Sequence, residues 1–202
     1  MYRLIESIKV AKKEFHNLAY HQQRMNKTRK ELFNLDDEID LAKELKIPAG
    51  LSDSVFKCRV IYLEKILSVE FHPYEARNLK SLQIVNADDI DYAYKYEDRS
   101  KLQKLLCKCT ADDVLIIKNG FITDTSYSNI VLSKDSKFFT PNTYLLNGTK
   151  RQKLLDEKII EQTKIAVADI TGYEKIFIIN SMMDLEDQPG IPVANIKGLE
   201  SL

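Results

Sequence analysis

Four places in this sequence carry residue types suited to chemistry. Lys95 stands between Tyr94 and Tyr96 in DIDYAYKYEDR, a polar and aromatic stretch without clean periodicity. Most lysines are solvated surface cations, so that is its ordinary reading. Asp124 follows a strong strand pattern in TDTSYSN, where an acid beside Thr and Ser commonly closes a turn on its own backbone. Arg24 belongs to the basic flank of a helical segment, LAYHQQRMNKTRKELF, which reads on its own as a solvated face. Asn147-Gly148-Thr149 opens a second helical segment. That is ordinary capping, although a helix start also presents N–H groups and a partial positive charge that suit phosphate. No metal site is expected, because His16 and His72 lack ligand spacing and Cys107-x-Cys109 is too tight for structural zinc without a second pair.

The elements that must position these residues fall into two groups. Arg3 to Val10 reads as a strand, Lys12-Lys13 as the turn after it, and Asn17 as the cap of a helix with Leu18, Met25 and Leu32 along one stripe. A short helix over about 37–45 stops at Pro48-Ala49-Gly50. SVFKCRVIYL and ILSVEFHPY form a hairpin closed at Glu64-Lys65, and SLQIVNA is a third strand. Residues 1–88 therefore predict a small α+β domain with an antiparallel sheet, and 89–202 a second α+β domain. In the second, a helix begins at Asp98 or Ser100 and runs through Cys109. Two apolar strands in VLIIKNGFIT flank Asn119-Gly120, the dipeptide favoured by a type I′ turn. NIVLS, KFFTP, KIFIIN and IPVANI add strands, and TKRQKLLDEK is the helix after Asn147-Gly148.

Composition narrows the function classes. The 202 residues carry 30 basic and 30 acidic side chains, so the formal charge is zero and nothing drives general binding to nucleic acid or anionic membrane. No apolar run approaches the roughly 18 residues that cross a bilayer, and MYRLIESIKVAKKEF has no signal-peptide core. Three cysteines, an odd number, suggest reduced thiols and a cytoplasmic protein. These features describe a globular enzyme or binding protein.

Taken in order, YHQQRM, YKYEDR, VLIIKNGFITDTSYSNI, LLNGTKR and IFIINSMMDL resemble the class IV (fold type IV) pyridoxal-phosphate enzymes over about Ile5 to Leu185. That family includes branched-chain and D-amino-acid aminotransferases and aminodeoxychorismate lyase; the Asn-Ser-Met stretch and the Lys-x3-Arg segment look closer to the lyase branch. The resemblance implies a two-domain α+β fold with pyridoxal 5′-phosphate in the interdomain cleft, a homodimer, and a small-molecule substrate. It makes Lys95 the Schiff-base lysine, since only an amine forms an imine, and Asp124 the partner that keeps the pyridine nitrogen protonated so that the ring acts as an electron sink. Arg24 becomes the phosphate arginine, with the remaining phosphate contacts from the Gly148 helix start, the N–H groups of Thr149 and Lys150, and the Ser181 hydroxyl. Arg99 would face the ring hydroxyl or a substrate carboxylate, against an ordinary salt bridge to Glu97 or Asp98. His21 either braces the phosphate site or is a packed, hydrogen-bonded histidine.

The implied activity is conversion of 4-amino-4-deoxychorismate to 4-aminobenzoate and pyruvate for folate synthesis. Aminotransfer to a branched-chain or D-amino acid is the alternative, and a cofactor-binding relative without catalysis is a third. Two departures from the family pattern stand out. Asp124 replaces the usual Glu and must bring the backbone nearer or leave a bridging water. The chain also begins almost at the Ile-Glu-Ser-Ile-Lys strand, so part of a substrate wall or dimer contact is expected to be absent or rebuilt.

Overall fold

Alternation in LIESIKVA turns Leu4, Glu6, Ile8 and Val10 to one face of β1 (Leu4–Ala11), and all four are buried. Lys12 and Lys13, both at positive φ, reverse the chain into β2 (Glu14–Phe15). α1 (Leu18–Phe33) and the single turn α2 (Leu41–Glu44) precede the hairpin of β3 (Phe56–Tyr62) and β4 (Ile66–Pro73). The antiparallel sheet runs β2-β1-β3-β4. Leu4, Ile8, Val10, Cys58, Val60 and Tyr62 from the strands pack with Met25 and Leu41 from the helices. The computed structural model describes residues 2–199, and its chain divides into two units: the residues up to Ala76 with Tyr94–Asp98, and Arg77–Ala93 with the residues from Arg99 onward.

The helix α1 departs from its expected stripe. Leu32 is 39% exposed, while the buried face consists of His21, Met25, Thr28 and Arg29. Part of the basic flank is therefore interior. Arg29 is fully engaged there: Nε donates to the Glu64 carbonyl (2.8 Å), Nη1 to the Asp37 carbonyl (2.5 Å) and Nη2 to the Asp37 carboxylate (2.9 Å). The guanidinium fork thus fastens the helix to the β3–β4 turn and to the segment after α1.

In the second unit, β5 (Leu82–Asn86) and α3 (Ser100–Leu106) are followed by β6 (Asp113–Lys118), β7 (Phe121–Thr125), β8 (Asn129–Lys134) and β9 (Lys137–Pro141). Then come α4 (Thr149–Asp156), β10 (Glu161–Thr163), β11 (Lys175–Ile179), β12 (Ile191–Pro192) and β13 (Ile196–Lys197). One sheet runs β13-β5-β6-β7 and the other β10-β9-β8-β11-β12, with Leu115, Ile117, Ile122, Ile130, Leu132, Ile176 and Ile178 from both in a shared core. The β6–β7 hairpin turns at Asn119 (φ 52°) and Gly120 (φ 77°), the positive dihedrals a type I′ turn needs. The strand expected to extend the first antiparallel sheet, β5, instead lies parallel to β6. α3 stops at Leu106 rather than Cys109.

Among the described residues no helix is long and apolar enough to cross a membrane. Arg29→Ala should lower the unfolding free energy in urea by about 1–3 kcal/mol, because it removes a fully buried side chain and the three hydrogen bonds that tie α1 to the Glu64 and Asp37 segments.

Candidate active site

In the first unit the segment around Lys95 is held by β1. Ile5 N–H donates to the Lys95 carbonyl (2.9 Å), Glu97 N–H donates to the Arg3 carbonyl (2.8 Å), and Leu4 bridges Tyr96. The stretch that lacks periodicity in sequence is thus irregular chain tied to β1 by two backbone hydrogen bonds and a single bridge. Tyr94 and Tyr96 pack edge to face at 6.1 Å and lean on the same core as Met25 and Tyr62. Lys95 itself is half-buried.

The next residue of β1 beyond Ile5 carries the strongest electrostatics in this unit. Glu6 has no exposed surface, and its carboxylate accepts from Arg24 Nε (2.8 Å), Arg24 Nη2 (2.5 Å) and His21 Nδ1 (2.6 Å). His21 is equally buried, one turn before Arg24 on α1. Burial pushes the Glu6 carboxyl up, but the Arg24 charge and the hydrogen bonds from His21 and Arg24 together overcome it and bring the group to about 2. Burial lowers His21, the Glu6 contacts oppose that, and the Arg24 and Lys95 charges add to the lowering. The Lys95 amine is therefore within electrostatic reach of His21, whose neutral ring gives its Nδ1–H to Glu6.

In the second unit Asp124 sits near the end of β7, 5% exposed. Its carboxylate does not close its own turn. That role falls to Thr125, which accepts at Oγ1 from Ser128 N–H (3.2 Å) and donates its own N–H to the Ser128 carbonyl (2.9 Å). Asp124 instead accepts from Asn129 Nδ2 (2.8 Å) and from the backbone N–H groups of Leu145 (2.9 Å) and Leu146 (3.1 Å). Burial raises its pKa to about 6, with the three neutral donors opposing. Asn129 Nδ2 also donates to the Leu146 carbonyl (2.8 Å), so one amide ties the acid to the chain entering α4.

Gly148 caps α4 where a Cβ would overlap Asn129 Oδ1. The N–H groups of Thr149 and Lys150 lie at the positive end of the helix dipole. Lys150 is buried and bonds Asp184, which draws the turn containing half-buried Ser181 toward the start of α4. Arg99 Nη2 donates to the Ser126 carbonyl (2.5 Å), and Glu97 is held by Arg3 and Arg59.

The structure thus brings Arg24, His21 and Lys95 together in one unit, and Asp124, Gly148, Thr149, Lys150 and Ser181 in the other. Glu6 and Arg151 were not singled out in the sequence. Glu6 had a signal: an acid on the inward face of an apolar alternation is buried and needs partners. Arg151 is 2% exposed, lies over the Tyr144 ring at 4.2 Å, and donates to Asn147 Oδ1 (3.1 Å) and the Pro141 carbonyl (3.0 Å).

The α+β elements of the two units are those of a fold type IV enzyme. Comparison with known proteins agrees. The class IV aminotransferase family model matches residues 94–191. An uncharacterised protein from Haemophilus influenzae is 33% identical over 188 residues, 92% of this chain and all of the relative. The crystal structure of a proposed 4-amino-4-deoxychorismate lyase from Haemophilus somnus is 31% identical, with TM-score 0.83 over 90% of this chain and 97% of that one. A hypothetical aminotransferase from Mycobacterium tuberculosis in its PLP-bound form is 19% identical and shares the fold, with TM-score 0.76 over 98% of this chain and 82% of that one. The chain belongs to the class IV aminotransferase family, whose enzymes depend on pyridoxal 5′-phosphate.

Two outcomes follow from this geometry. Gly148→Ala should displace Asn129 and lower stability by about 1–3 kcal/mol, read by thermal unfolding, with Asn129→Ala showing no further loss on top of it. Acid should also weaken the first unit in two stages. His21 resists the proton that the unfolded chain takes up below about pH 6.5, and Glu6 resists the one taken up below about 4.5, so stability falls as pH drops through each value. Urea titrations at stepped pH should show the second stage missing in Glu6→Gln.

Proposed function

We propose that this chain is a pyridoxal-5′-phosphate-dependent lyase that converts 4-amino-4-deoxychorismate to 4-aminobenzoate and pyruvate, acting in the cytoplasm as a homodimer in folate synthesis. The observation that carries the cofactor reading is the chemistry of the donor set. Asp124 is a buried acid surrounded by neutral donors and left near pKa 6, a state that a cationic ring nitrogen relieves. The start of α4 suits a phosphate, with the N–H groups of Thr149 and Lys150 at the positive end of the helix and the Lys150 side chain buried close by. Arg24 contributes a guanidinium whose Nε and Nη2 are held by Glu6 and whose Nη1 edge goes to the phosphate in this reading, and Lys95 contributes a half-buried amine. The residues fit the group. The lyase branch rests on the Haemophilus somnus relative, which matches across nearly its whole length.

When bound, the cofactor supplies an electron sink conjugated to the substrate nitrogen. The chain supplies the rest. Lys95 Nζ would hold the cofactor and would act as the base that takes the proton from the substrate carbon bearing the nitrogen. Its backbone bond to Ile5 fixes where that amine starts from. Asp124 keeps the ring nitrogen protonated, and the Asn129, Leu145 and Leu146 donors hold its carboxylate in one orientation. Arg24, Thr149, Lys150 and Ser181 anchor the phosphate, and Arg99 orients a substrate carboxylate. Loss of the enolpyruvyl group leaves an aromatic ring, which makes the elimination favourable.

The family match keeps aminotransfer on a branched-chain or D-amino acid as the second reading, in which Lys95 would again be the base. A lactate-dehydrogenase-coupled assay separates them. The lyase forms pyruvate from 4-amino-4-deoxychorismate with no keto acid added; turnover that requires a keto acid and yields no pyruvate overturns the lyase reading. A protein that binds the cofactor and turns over neither substrate supports the non-catalytic relative.

A further inference from the structure

Glu6 takes part in no step above, yet it is completely removed from solvent. It shares its face of β1 with Leu4, Ile8 and Val10, where an apolar side chain would pack without needing any donor. A buried ion pair rarely improves on such packing, so stability alone does not account for it. What the carboxylate provides is direction. Arginine is long and flexible, and its guanidinium plane is set only when one edge is gripped. Glu6 takes Arg24 Nε on one oxygen and Nη2 on the other, which fixes that plane and points the Nη1 edge one way. His21 Nδ1 holds the same Oε2 from a separate position on α1, so the carboxylate cannot rotate away.

We propose that Glu6 is a positioning residue for the cofactor phosphate, acting through Arg24 with His21 as its brace. The inference rests on the reading of Arg24 as a phosphate ligand. Glu6 carries a charge of the same sign as phosphate, but the Arg24 fork neutralises it at contact distance. Loss of orientation therefore outweighs loss of repulsion.

The test compares pyridoxal 5′-phosphate with pyridoxal, which lacks the phosphate, by titrating the full-length cofactor-free protein and following visible absorbance. Glu6→Gln should weaken pyridoxal 5′-phosphate about tenfold and leave pyridoxal within about twofold, with Glu6→Asp recovering part of the difference. Equal loss of both ligands, or an affinity for pyridoxal 5′-phosphate that is unchanged or raised, overturns the proposal. If circular dichroism shows Glu6→Gln unfolded, His21→Gln carries the test, since it removes the brace and keeps the carboxylate–guanidinium pair. A selective loss of the phosphorylated ligand supports the proposal, and an unchanged ratio overturns it. Wild-type protein that binds neither ligand overturns the cofactor reading and this inference with it. Wild-type binding with an unaltered Glu6→Gln ratio overturns this inference alone.

Discussion

A carboxylate taken out of water has to be met by donors that stay in place, and much of this protein is arranged around two of them. Glu6 on β1 recruits His21 and Arg24, which determines which face of α1 turns inward. Asp124 on β7 recruits Asn129 on β8 and the backbone of Leu145 and Leu146, which determines how the chain enters α4. Each acid fastens a strand to the segment that follows in space, and each stands among the residues to which the proposed function gives a role.

The two acids differ in what surrounds them, and the difference is informative. Glu6 faces a guanidinium at contact distance, and its carboxyl is held near 2. Asp124 faces three neutral donors, with Arg151 contributing only a minor charge, and its carboxyl is left near 6. Burial is the largest influence on both; the full positive charge beside one of them decides the outcome. Glu6 thus has a full positive charge at contact distance, whereas Asp124 is held by neutral donors.

Residues with a local signature were legible in the sequence. Asn119-Gly120 required positive φ and has it, and the hairpin around it is as read. The strands β1, β3 and β4 showed their alternation, and the helix start at Gly148 showed its cap. Where pairing or partnering is nonlocal, the reading ran out. Nothing in SLQIVNA states that β5 lies parallel to β6, because its partner is separated from it by α3. Arg29 looked like part of a solvated flank because its acceptors, on Glu64 and Asp37, lie outside the helix. Asp124 was visible as a candidate, but the donors that free it from turn-making come from residues about twenty positions later. Glu6 was legible in principle, as an acid in phase with Leu4 and Ile8, and needed only the question of what would satisfy it.

Lys95 remains the residue on which the functional account turns. Its backbone is fixed by Ile5 and its amine lies within electrostatic reach of the neutral His21. The most direct measurement is borohydride reduction of the cofactor-loaded protein followed by peptide mapping. The account predicts one stable cofactor adduct, on the peptide that contains Lys95. An adduct on a different lysine, or none after saturation with pyridoxal 5′-phosphate, would contradict it.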